Sequence, residues 1–179
     1  MSNRTIASAL LYILVLAFVS LPLASRAVEY KKVSTPSFSV EVPDSWKMKS
    51  IDNACYQFSA AGQPRPEDYA LEICSVEKGL NDAAYDSGIF DKSDKDNWIT
   101  IAGPGSSKTA DVISQEGWHG IQAIIDCGID DPTTGFHAAA GDCYWAVASN
   151  GRRSLIVDTQ GLYRDFDIVS RIMKSLRLK

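Results

Sequence analysis

The chain has 179 residues, 45% of them hydrophobic, with a formal net charge of −4, four cysteines and two histidines. Length and apolar content suit one domain large enough for a real core. The acidic balance argues against nucleic acid or an anionic membrane as partner and suits a basic protein.

Residues 1–27 read as a signal peptide, not as part of the fold. Arg4 supplies a positive start, residues 6–19 are an apolar run broken by Ser8 and Tyr12, and Ser25-Arg26-Ala27 offers small residues where a signal peptidase reads. Cleavage is expected after Ala27; a cut after Ala24 would place Pro22 at the third position upstream. An uncleaved anchor is the competing reading, but the run is short of the ~20 residues that a span needs. No cysteine precedes Cys55, so no lipid anchor is expected. Removing 27 of the 179 residues leaves a single domain, 28–179, of 152 residues; loss of Arg4 and Arg26 takes the charge from −4 to −6.

Phe38-Ser-Val40-Glu-Val42 alternates as a half-buried strand does, and Pro43-Asp44-Ser45 ends it before a second short strand from Trp46. Strands at 54–60 and 69–77 flank a breaker cluster at 62–67. Residues 80–90 are expected to form a short helix and 91–97 a charged, solvated loop. Strands at 98–102 and near 111–114 follow, separated by Gly103-Pro104-Gly105. The segment 120–158 reads as three strands, a long loop at 130–141 and a tight turn at Asn150-Gly151. Asn-Gly favours a type I′ hairpin, which would set Trp145 opposite Ile156 and Val147 opposite Ser154. At the C-terminus Phe166, Val169, Ile172, Met173 and Leu176 recur at helical spacing. Acids precede that stripe and Lys174, Arg177 and Lys179 close it, as the helix dipole favours. Successive strands joined by short turns, with few helices, predict an α+β fold: a single twisted antiparallel sheet flanked by helices, the C-terminal amphipathic helix among them.

Four cysteines in an exported chain are expected to be oxidised. Folding 54–60 against 69–77 sets Cys55 across from Cys74, and folding the strands around the 130–141 loop brings Cys127 near Cys143. The expected disulfides are therefore Cys55–Cys74 and Cys127–Cys143, each worth on the order of 3 kcal/mol in the chain-entropy model. A reactive cysteine or thioredoxin-like pair is the alternative, but the chain holds no Cys-x-x-Cys.

The pattern Phe-x-Val-x-x-Pro-x-x-Trp, met as Phe38, Val40, Pro43 and Trp46, resembles the opening of domains in the PsbP/Mog/DcrB-like superfamily. Their closing helix, with an apolar start and a Ser-Leu end, is similar to the stretch from Phe166 to Ser175-Leu176. The resemblance implies a binding module, adaptor or chaperone more often than an enzyme. The four cysteines and the long loop stand outside the shared pattern, so no binding surface carries over.

Motifs for chemistry are sparse. The stretch 103–109 lacks the glycines of a phosphate-binding loop. His119 and His137 stand in no metal-binding spacing, and no Gly-x-Ser-x-Gly elbow is present. Asp130-Asp131 reads as the polar start of a loop, not as an acid/base pair. No cofactor, metal or catalytic residue is expected. The twelve-residue loop, stapled at its base and carrying Asp130, Asp131, Phe136 and His137, is the expected partner-binding element, since pre-ordering favours tight docking; its alternative is a loop folded back on the domain. The expected function is a non-catalytic periplasmic protein-binding module, specifically an immunity or inhibitor protein against a basic, cell-wall-active toxin delivered to the periplasm, for example by a type VI system. The alternatives are an accessory subunit of an envelope complex and a small periplasmic hydrolase using His119 or His137.

Overall fold

The computed structural model describes residues 28–60, 69–101, 107–131, 136–159 and 165–179, with backbone alone at 128–131 and 136–140. The expected signal segment, the breakers at 62–67 and 103–105 and the centre of the 130–141 loop lie outside the described residues.

The strands are β1 (Tyr30–Ser34), β2 (Phe38–Pro43), β3 (Lys47–Ser50), β4 (Cys55–Ser59), β5 (Leu71–Val76), β6 (Phe90–Lys92), β7 (Trp98–Thr100), β8 (Asp111–Gln115), β9 (Trp118–Asp131), β10 (Phe136–Ser149), β11 (Ser154–Asp158) and β12 (Arg177–Leu178). Two helices are described, α1 (Leu80–Asp86) and α2 (Phe166–Ser175). A seven-stranded sheet runs in the order β3-β4-β5-β11-β10-β9-β8, a three-stranded sheet in the order β1-β2-β12, and β6 pairs with β7. Every strand pairing among the described residues is antiparallel.

This corrects the expected α+β architecture: the protein is mostly β, and the large sheet is not flanked simply by helices. The physical reason is visible in how its two faces are covered. Tyr144, Ala146, Ala148, Leu155 and Val157 pack into one core with Phe38 and Val40 of the small sheet and Val169, Ile172 and Met173 of α2. On the opposite face Ile121, Ile125 and Val147 pack with Ala83 and Ala84 of α1 and with Phe90 and Trp98 of the β6–β7 hairpin. Ala146, Val147 and Ala148 are therefore all fully buried, as a central strand covered on both faces requires. Strand alternation announces a buried face but does not say whether a helix or another sheet will cover it.

The chain changes sheets at 43–46. Trp46 donates its N–H to Pro43 O at 2.9 Å, and Lys31 Nζ donates to the carbonyls of Asp44 and Trp46 at 2.6 and 2.8 Å. The corner thus holds β2 and β3 in different sheets, although they are close in sequence. The terminal helix forms where expected. Asp165 accepts the Ile168 N–H at 3.2 Å as its N-cap, and Trp118 Nε1 donates to Leu176 O at 3.1 Å at its C-terminal end. The solvated loop expected at 91–97 is present as the exposed turn of a hairpin: β6 takes residues 91 and 92, β7 starts at Trp98, and Asp96 between them adopts a positive φ of 60°. The first helix stops at Asp86, earlier than expected, where the Ser87 hydroxyl donates to Ala84 O and Gly88 turns with φ 68°.

The hairpin at Asn150-Gly151 exists with another register. Trp145 lies opposite Asp158, Val147 opposite Ile156 and Ser149 opposite Ser154. Only Gly151 takes a positive φ, so the turn is not type I′. Instead Asn150 Oδ1 accepts the N–H groups of Arg152 and Arg153, at 3.1 and 3.0 Å, and closes a loop of residues 150–153. The offset is two residues, so each side chain keeps its expected face.

Candidate binding site: a disulfide-stapled ribbon

The expected twelve-residue loop is also corrected. β9 and β10 continue pairing through 130–131 and 136–137, with His137 opposite Asp130 and Phe136 opposite Asp131. Residues 132–135 alone connect the two strands. A register shift between Ala139 and Gly141 absorbs one extra residue, and Gly141 takes a φ of 117° that L side chains rarely adopt. Three successive alanines and an Asp-Asp-Pro start disguise a strand pair, because Ala and Asp are poor strand formers.

Neighbouring strands support only the inner part of this ribbon. β8 pairs with residues 118–122 of β9, and β11 with residues 145–149 of β10. Farther out, Ala123, Ile125 and Cys143 still pack into the second core. Beyond that point the ladder at 128–131 and 136–139 is two-stranded among the described residues. It extends for roughly 13 Å at the usual rise per residue. An isolated two-stranded ribbon is marginal in water, and here Cys127–Cys143 closes its base, with Cα atoms 5.8 Å apart. The other pair, Cys55–Cys74, joins directly opposed residues of β4 and β5. Both expected disulfides are present.

Asp130, Asp131, Phe136 and His137 thus fall on the last two register pairs of the ribbon. The ladder brings these four backbone positions together, as the sequence implied, but on strands and not in a loop. The two histidines are not brought together. His119 lies opposite Ser114 and Ser149, at the other end of β9 from Asp130 and His137. Eleven residues of strand separate positions 119 and 130, about 36 Å. Among the described residues no group of three or more His, Cys, Asp or Glu is placed to hold a metal ion. No helix there is long and apolar enough to cross a membrane.

Sequence reasoning missed a second polar cluster. Asp158 is 8% exposed and accepts a hydrogen bond from the Tyr69 hydroxyl at 2.7 Å. Glu72 lies opposite it on β5 and accepts from Gln57 Nε2 at 2.7 Å. Burial pushes the Asp158 carboxyl up to about 7, against the lowering effect of the Tyr69 hydrogen bond, and the Glu72 charge adds to the rise. Burial raises the Tyr69 phenol far above its ordinary value, with the Asp158 charge reinforcing it. The register that pairs Asp158 with Glu72 and Trp145 would have shown this row, but the Asn-Gly signal pointed to a different pairing.

No family model matches this chain, and no curated protein matches it. A solved structure from Bacteroides thetaiotaomicron VPI-5482 is similar in fold, with a TM-score of 0.51 at 10% sequence identity. The similarity covers 83% of this chain and 48% of that one, so this chain spans about half the length of its structural neighbour. At this identity the likeness speaks to the fold alone.

Proposed function

We propose that this is an exported, non-catalytic protein-binding module, and that the outer part of the β9–β10 ribbon is the surface that meets its partner. One observation carries the reading: the ladder continues past the rest of the sheet and is locked by a disulfide where the support ends. A stapled ribbon loses little entropy on docking, and its outer strand edges, which pair with no further strand among the described residues, offer backbone groups for strand addition. Export is consistent with two disulfides, which persist in oxidising compartments. A signal peptide at 1–27 and a periplasmic destination belong to the same proposal.

The particular role proposed is immunity: neutralising a toxin with a basic surface, such as a cell-wall-degrading enzyme. The support is charge, −4 for the whole chain with Asp130 and Asp131 at the ribbon end. The resemblance to PsbP/Mog/DcrB-like domains, which mostly bind and do not transform, points the same way. The test is recovery of the partner from periplasmic extract with the intact protein. Phe136→Ser with His137→Ser is expected to weaken capture by more than about 1 kcal/mol, roughly fivefold or more. Unchanged capture would move the contact to another face. Protection against a toxin encoded by the neighbouring gene separates immunity from an accessory role in an envelope complex.

A further inference from the structure

The acidic chain carries one groove of opposite sign. Lys32, Glu41, Arg171, Lys174 and Arg177 line a cavity of about 440 Å³ between β1–β2 and the C-terminal end of α2, with Ser39 in its wall. The topology makes this notch. β12 is two residues long and pairs only with Phe38 and Ser39, so the remaining edge of β2 faces the helix. There the Glu41 N–H donates to Ser175 Oγ at 2.8 Å.

A cluster of cations at a helix C-terminus is ordinarily a solvated face that complements the dipole. Three further features distinguish this one. Four cations meet one carboxylate, and among the described residues none of the four has an ion-pair partner. Both guanidinium groups are held in place: Arg171 stacks 3.7 Å from the Tyr30 ring centroid, and Arg177 donates to the carbonyls of Lys174 and Leu176 at 3.1 and 2.8 Å. A guanidinium has five N–H donors, so each keeps some free. Finally, Ser39 is 8% exposed, and among the described residues its hydroxyl has no hydrogen-bond partner. A buried hydroxyl without a partner is costly, and an acceptor oxygen in the groove would satisfy it.

We propose that this groove binds a phosphate-bearing ligand, with Ser39, Lys32, Lys174 and the two arginines donating to its oxygens. The volume falls within the range for small-molecule sites, and four cations favour a group with more than one negative charge, such as a diphosphate. Two sources share that chemistry: a soluble phosphorylated molecule and the headgroup of a phospholipid.

Titration calorimetry on the disulfide-intact protein at about 0.15 M salt uses inorganic pyrophosphate and inorganic phosphate as probes. Saturable binding of pyrophosphate, tighter than phosphate, is expected. Lys32→Gln with Lys174→Gln should weaken it at least about tenfold, and Ser39→Ala about threefold to tenfold. The control Lys47→Gln with Lys49→Gln, which removes two exposed cations of β3, should leave it unchanged. All variants are compared by thermal melting, since the lysines are exposed and their loss should not unfold the protein. No saturable heat, or equal weakening in the control, would overturn the site. Flotation with phosphatidylglycerol vesicles, against phosphatidylcholine alone, separates the sources. Vesicle binding that pyrophosphate displaces and the groove variant loses assigns a headgroup. Pyrophosphate binding without vesicle binding assigns a soluble ligand. Vesicle binding that survives the groove variant counts against the proposal.

Discussion

The β4–β5 pair and the β9–β10 ribbon each carry one disulfide, at sequence separations of 19 and 16. Around Cys55–Cys74 the ladder is already held from both sides, by β3 beyond β4 and by β11 beyond β5. Around Cys127–Cys143, among the described residues, the lateral strand partners have ended and each strand of the outer ladder pairs only with the other. Equal chain-entropy effects of about 3 kcal/mol per bridge should therefore act differently. The first adds to the stability of a body that unfolds as a unit, and the second decides whether a nearly independent ribbon stays formed.

The largest expected effect lies wholly in the body. Asp158 is more readily protonated folded than unfolded, its carboxyl standing near 7 against 3.8. Between those values the native state binds more protons than the unfolded one, so stability falls as pH rises from about 4 to about 7 and is level beyond. The span corresponds to on the order of 4 kcal/mol. Urea titrations across this range should show the decline in the wild type and a nearly flat profile in Asp158→Asn. Ribbon amides should exchange no faster in that variant than in the wild type.

Replacing both members of Cys55–Cys74 by alanine should cost about 3 kcal/mol of global stability, read as a lower denaturation midpoint. Replacing Cys127 and Cys143 should shift that midpoint less, yet remove hydrogen-exchange protection at 128–131 and 136–139 and weaken partner capture. Equal midpoint shifts with unchanged ribbon exchange would erase the distinction between the two regions. Gly120 lies inside the body, between Ile113 of β8 and Ala148 of β10, and a Cβ there would run into Val147 O. Gly120→Ala should therefore cost about 1–3 kcal/mol globally, measurable in the same titration. The smallest effect concerns the cap of α2. Asp165→Ala should cost about 1 kcal/mol and leave ribbon exchange and partner capture untouched.

Several of these features were legible in the sequence because they depend on local spacing. The cysteine pairs followed from folding strands about a breaker, and Cys55 does lie opposite Cys74. The stripe at Val169, Ile172 and Met173 announced α2, and these three residues are buried. Positions 130, 131, 136 and 137 were singled out together, although as a loop. Other features had no local signal. The Asn150 side chain chose the hairpin loop through hydrogen bonds to Arg152 and Arg153. The short strand read from Trp46 is there as β3, from Lys47, but nothing local told that it would join a different sheet from β2. The cationic groove draws on residues as far apart as Lys32 and Arg177, and nothing in either neighbourhood points to the other.

By itself the sequence determined which stretches are extended, which residues point inward, where the last helix lies and which thiols meet. Each of these depends on a period or a turn within a few residues. Only the tertiary structure decided that a second sheet, and not helices alone, closes one face of the first; that β9 and β10 run on as a ribbon; and that Asp158 lies buried beside Tyr69. Those outcomes come from which distant surfaces bury each other, and an amphipathic strand carries no record of its cover.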